Sequence, residues 1–156
     1  MLRYGWSLNK DQWNAISPEL LETPWRSVKF SIDSSELVPQ KRGVYLVSLS
    51  VEGLISAEPF ANFTSPLYVG HTTRLRQRFR QHAIGNKPGN LRSKGNIFTK
   101  YMTFYFALFE DYTKDELKKM EQSLIDVYGP PLNSINSISQ GVITEDSISG
   151  SLIIGD

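Results

Sequence analysis

Arg78 and His82 stand four residues apart, and the apolar residues beside them, Leu75, Phe79 and Ala83, repeat at the same spacing. Residues at i and i+4 of a helix lie one above the other on one face. A guanidinium and an imidazole are thereby stacked along one border of an apolar stripe. The guanidinium fork suits planar anions such as phosphate or carboxylate. An imidazole exchanges protons near neutral pH. Arg74 continues this border, and Arg76 and Arg80 line the opposite one. The plain reading of His82 is a surface histidine and that of the flanking arginines is solvation. The other reading of Arg76 and Arg80 is contact with a phosphate backbone.

A second residue with chemical potential is Glu121. In the segment Thr113–Tyr128, Leu117, Met120, Leu124, Val127 and Tyr128 fall on one arc at helical spacing, and Glu121 lies within it. An ionised carboxylate among core side chains is costly unless it is paired or bound to a metal ion. The spacing therefore demands a partner for Glu121, either an arginine in a structural ion pair or a cation. The charge distribution adds a third signal. Pro59–Phe109 holds eight Lys and Arg and no Asp or Glu, whereas Glu110 to the last residue holds three Lys and nine acids. Such an acid-free stretch is either a solvated basic face or a footprint for a polyanion.

The elements that must carry these residues can be read from pattern. Gly43–Ser50, GVYLVSLS, is β-branched and aromatic and reads as a buried strand; Leu67–Gly70 is a second and Thr103–Phe109 a third. Residues 51–65 read as a loop between the first two, and within residues 1–40 Asp11–Ile16 reads as a short helix and Val28–Ile32 as a short strand. A helix runs from Thr73 to Ile84, capped by Thr72 or Thr73 and stopped by the Gly85–Gly89 stretch. Lys94–Met102 is a candidate for another helix. Thr113 and Glu116 form a capping box at the start of the last helix, and Gly129, Pro130 and Pro131 end it. The order implies an α+β fold: a small three-stranded, mostly antiparallel sheet flanked by helices, with N- and C-terminal extensions.

Composition narrows the chemistry. The 156 residues suit one compact domain with extensions, and 40% apolar content is that of a globular chain. There is no cysteine, so thiol nucleophiles, zinc–thiolate sites and disulfides are excluded. No apolar run approaches the ~18 residues that span a bilayer. The first residues, MLRYGW, lack the apolar core of a secretion signal. A cytoplasmic protein without a membrane partner is the expectation.

Gly43-Val44-Tyr45 and Tyr68-Val69-Gly70, on consecutive strands, resemble the paired motifs of the GIY-YIG nuclease superfamily, with valine for isoleucine in each. Arg78 and His82 follow on the next helix, Glu121 lies in a later apolar helix, and Asn133 closes the set after Pro131-Leu132. The resemblance covers roughly residues 41–134. It leaves residues 1–40 as an N-terminal extension packing on or near the core, and 135–156 as a tail or appendage. The long segment between the first two strands is a departure from a short hairpin.

The resemblance implies a metal-dependent endonuclease acting on nucleic acid, DNA in preference to RNA. It implies one Mg²⁺ or Mn²⁺ ion on Glu121, with catalytic roles for Tyr45, Tyr68, Arg78, His82 and Asn133. A free phenol is only ~0.1% ionised at pH 7, so Tyr45 as a base needs Arg78, the metal or His82 to help remove its proton. Asn133 would orient a ligand or water near the metal. Arg74, Arg76, Arg80, Lys87, Arg92, Lys94 and Lys100 are the candidates for nucleic-acid contact. A homodimer or a recruiting protein is a possible partner. The competing readings are a catalytically idle nucleic-acid-binding module on the same fold, and an interaction domain docking through Trp6, Trp13 and Trp25.

Overall fold

The computed structural model describes residues 10–50, 64–84 and 102–133. Two short helices, α1 (Lys10–Asn14) and α2 (Pro18–Glu22), precede strand β1 (Arg26–Lys29) and a 3-10 turn at Ile32–Leu37. Strands β2 (Gly43–Ser50) and β3 (Thr64–Thr72), helix α3 (Leu75–Ile84), strand β4 (Met102–Leu108) and helix α4 (Lys114–Tyr128) follow. The expected loop at 51–65, the stop at Gly85–Gly89, the expected helix at Lys94–Met102 and the tail fall largely or wholly outside the described residues.

The sheet has four antiparallel strands in the order β1-β4-β2-β3, not three. The added strand comes from the N-terminal stretch: Val28 pairs with Phe104, and its neighbours extend the sheet beyond β4. A short strand is legible at Val28–Ile32, but outside the expected three-stranded sheet; the strand runs over Arg26–Lys29 and pairs with β4. Its place is fixed by β4, whose side chains cover both faces.

Both faces are covered, which explains why the strands read as continuous apolar runs and not as alternating ones. Along β2, Tyr45 and Val47 enter one core with Tyr68, Leu75, Phe79, Phe104 and Phe106. Val44 enters the opposite core with Val69, Ala107, Leu117, Met120, Leu124 and Val127. Helix α3 and the 3-10 turn thus lie on one face, and α4 with Ile16 and Leu20 on the other. Trp13 meets Tyr128 edge-on, and Trp25 donates its ring N–H to the Leu20 carbonyl. These two tryptophans pack against the chain's own second core.

The connection before β2 ties the layers together. Lys41 O accepts the amide of Leu75, Gln40 Oε1 accepts that of Gln77, and Arg42 O accepts that of Phe109. The Thr72 hydroxyl accepts from Arg74 N, so the first turn of α3 is satisfied from both sides of the site. Helix α4 carries the expected capping box, with Thr113 Oγ1 accepting from Glu116 N and Glu116 accepting from Thr113 N. Gly129 ends it in the left-handed conformation, at φ 52°.

Gly43 is needed for close approach. A Cβ there would lie 2.3 Å from the Ala107 carbonyl oxygen and 2.8 Å from Leu75 Cδ1. The backbone oxygen cannot yield without opening the β2–β4 ladder. Gly43→Ala should therefore lose about 1–3 kcal/mol of stability, as overpacking does. Urea unfolding checks this: the midpoint should fall with an unchanged slope, and an unmoved midpoint would refute the close fit.

Candidate active site

The two glycine–tyrosine motifs lie side by side because β2 and β3 pair antiparallel, with Tyr45 opposite Gly70 and Val47 opposite Tyr68. A residue 70 with a Cβ would place that atom 2.3 Å from the Tyr45 ring and hydroxyl. The phenol therefore crosses β3 in the space that Gly70 leaves open. This is what the second glycine does. It sits in a strand, with no turn or positive φ asked of it.

Helix α3 brings two groups to the Tyr45 oxygen. His82 Nε2 is 2.8 Å from it, and Arg78 Nε donates to it at 3.3 Å. A guanidinium can only donate, so the phenol oxygen accepts from Arg78, and its own proton can go to His82 Nε2 in the tautomer that leaves that nitrogen bare. His82 is fully buried, inside the core of α3 and not on its border, which excludes a surface histidine. It lies edge-on to Tyr68, whose ring is 6.1 Å from that of Tyr45.

Tyr45 is only 1% exposed. Burial is the main cause of a phenol pushed well above its usual range, and the neighbouring Tyr68 adds to it; Arg78 works in the opposite direction without winning. Burial likewise opposes the charge on Arg78, but Tyr45 and Tyr68 hold the guanidinium above its ordinary value. Arg78 also donates to Gln81 Oε1 at 3.2 Å. The site therefore holds a firmly charged arginine against a neutral phenol.

Glu121 reaches the same region from α4, on the other face of the sheet. It is close enough to Tyr45 to oppose ionisation of the phenol. Its carboxylate meets Nδ1 of His71 in a short contact, with side-chain exposures of 23% and 17%. The partner that the apolar arc demanded is thus a histidine, not an arginine. The sequence reading did not select His71. Its signal was strand alternation: His71 lies two residues from Val69 and opposite Val44, on the face that α4 covers.

Asn133 bonds the backbone of β3. Its Oδ1 accepts from Val69 N and its Nδ2 donates to Val69 O, each at 2.8 Å. This side chain continues the sheet pattern at the strand beside the site. Among the arginines expected on a phosphate backbone, Arg74 is exposed. Arg80 Nη2 bonds Glu36 at 2.5 Å, and Arg76 lies 3.6 Å from the same carboxylate while donating to Val38 O. These two side chains hold the 3-10 turn against α3. Lys87, Arg92, Lys94 and Lys100 lie outside the described residues.

An apolar cavity of about 560 Å³ lies on the α4 face, lined by residues including Trp13, Trp25, Leu46 and Tyr105. None of the candidate site residues lines it. Tyr45, His82 and Arg78 meet instead where Gly70 lets Tyr45 cross β3.

A family profile for the GIY-YIG catalytic domain matches residues 43–136, and the chain belongs to that family. The matched stretch begins at the glycine of the first motif and includes Tyr45, Tyr68, Arg78, His82, Glu121 and Asn133. Among solved structures, the chain is similar to the GIY-YIG N-terminal endonuclease domain of UvrC from Thermotoga maritima, a point mutant bound to the catalytic divalent cation. The two are 18% identical over 64% of this chain and 89% of that one, with a TM-score of 0.40. No curated protein matches. No helix among the described residues is long and apolar enough to cross a membrane.

The raised phenol has a measurable consequence for stability. The unfolded chain releases the Tyr45 proton near pH 10, whereas the folded chain retains it to higher pH. The stabilisation is whole below about pH 10 and is lost as pH rises toward the folded value. Above pH 10 the wild type should lose up to about 1.4 kcal/mol per pH unit that Tyr45→Phe does not lose. Denaturant unfolding at several alkaline pH values tests this, and parallel curves for the two proteins would contradict the burial of a protonated phenol.

Proposed function

We propose that this chain is a divalent-metal-dependent endonuclease that hydrolyses phosphodiester bonds in nucleic acid, DNA in preference to RNA. The observation that carries the reading is the Tyr45 hydroxyl held between His82 Nε2 at 2.8 Å and Arg78 Nε at 3.3 Å. A buried phenol bonded to an imidazole and a guanidinium supports a proton relay beside an anion.

In this mechanism Arg78 holds the non-bridging oxygens of the scissile phosphate through its guanidinium fork. Tyr45 does not act as a preformed phenolate, since burial keeps it protonated. A water attacks phosphorus while passing a proton to the Tyr45 oxygen, and Tyr45 passes its own proton to His82 Nε2. The bond to the leaving oxygen breaks as the new P–O bond forms. Tyr68 packs beside both groups and helps to hold them.

Glu121 is the residue that would hold the cation. Its half-buried carboxylate fits an oxygen-seeking ion such as Mg²⁺ or Mn²⁺. No cluster of three or more His, Asp or Glu side chains among the described residues is arranged to cage an ion. The donor set therefore suits one that keeps most of its waters. When bound, the cation supplies charge stabilisation to the leaving oxygen.

Incubation of the purified chain with supercoiled plasmid and with RNA, with and without Mg²⁺ or Mn²⁺, tests the activity. Metal-dependent nicking of plasmid is the expected result; nucleic-acid binding without cleavage under any condition would establish the idle-module reading instead. Glu121→Gln should abolish nicking while the protein still melts cooperatively, and unchanged cleavage would remove Glu121 from the metal site.

Arg78 and Tyr45 should behave as one unit. Arg78→Ala and Tyr45→Phe should each lower the single-turnover rate by ~10²-fold or more. The double variant should be little worse than the poorer single. Lysine at position 78 should not rescue, because it lacks the bidentate fork. Fully additive losses in rapid-quench assays would separate the two roles.

A further inference from the structure

We infer that His71 is a positioning residue for the metal-holding carboxylate, fixing Glu121 through Nδ1 and leaving its other oxygen for the cation. The inference rests on the assignment of the cation to Glu121 above. It is carried by the direct contact between His71 Nδ1 and Glu121 Oε2.

Three observations make this contact more than an incidental ion pair. First, His71 is fixed by the backbone: it lies in β3, paired opposite Val44, one residue from the glycine that Tyr45 crosses. Its imidazole therefore shares its origin with the rest of the site. Second, the contact joins β3 to α4, the helix packed against that strand. The carboxylate stem of Glu121 has several rotatable bonds, and a half-buried acceptor on a helix face needs a donor to select one rotamer. Third, the chemistry of the donor matters. An arginine in this position would cancel the carboxylate charge and repel a cation. An imidazole can donate one N–H while uncharged, so it orients Glu121 and leaves its negative charge in place. Carboxylates that bind metals are commonly held by such hydrogen bonds, and loss of one typically weakens metal binding 10–100-fold.

The contact is also specific about which nitrogen is used. Nδ1 is the donor toward Glu121, so an asparagine amide, whose nitrogen lies near the Nδ1 position, can replace it. A glutamine amide, whose nitrogen lies nearer the Nε2 position, cannot do so equally well.

The test is Mn²⁺ affinity of the full chain, measured by electron paramagnetic resonance titration of free Mn²⁺ without nucleic acid. Glu121→Gln is measured alongside, and circular dichroism melts verify that each variant is folded. His71→Ala should weaken Mn²⁺ binding 10–100-fold. His71→Asn should recover most of that loss, and His71→Gln should not. Equal affinities for wild type and His71→Ala would overturn the inference, provided that Glu121→Gln loses the ion. Recovery by glutamine but not asparagine would also overturn it, because the working nitrogen would then be Nε2. If wild type and Glu121→Gln bind Mn²⁺ alike, the assignment of the cation to Glu121 fails first. Should His71→Ala fail to fold, the asparagine and glutamine pair still decides the question.

Discussion

The structure turns on one steric permission: the Tyr45 ring lies across β3 where Gly70 has no side chain. From it follow the burial of the phenol, its reach to α3, and its meeting with both His82 and Arg78. A methyl group at position 70 would occupy the space of the ring itself. The adjacent glycine-containing motif meets a different demand, since Gly43 accommodates the Ala107 carbonyl and Leu75. Two motifs that look alike in the sequence thus solve two separate packing problems, one for the Tyr45 side chain and one for the sheet and helix that present it.

Electrostatically, the sheet separates two kinds of group. On the α3 face, low polarity keeps Tyr45 neutral, and the charge that survives there is that of Arg78. On the α4 face, Glu121 remains partly exposed and is met by an imidazole. Were both charged groups on one face within contact, they would neutralise each other as a structural pair. In the proposed reading, Arg78 is thereby left to hold an anion and Glu121 to hold a cation. The proposed phosphodiester chemistry uses that separation.

Much of this could be read from the residues. The apolar arc around Glu121 announced a partner, and the capping box fixed where α4 begins. The four-residue step from Arg78 to His82 put both on one side of the helix, and both reach Tyr45. Other features depend on contacts between distant segments. Burial of His82 was not visible because the α3 pattern gives Ala83 the same claim to the core, and only the position of Tyr45 decides between them. Pairing of Arg76 and Arg80 with Glu36 needs the 3-10 turn to lie along α3, which no local periodicity encodes. A short strand near Val28 was legible, but its place in the sheet was not, because β1 is recruited by β4 from a distant segment. His71 was within reach of a reading that followed strand alternation past the second motif.

Asn133 bears on how this molecule meets its neighbours. Sheet margins ordinarily offer unpaired amides and carbonyls to any extended peptide. At Val69 that pair is already taken by a side-chain amide acting as a one-residue substitute for a strand. The margin closest to the site is therefore closed to growth by backbone pairing at that point. An extended peptide that approaches there finds the Val69 backbone pair already occupied, beside the candidate site.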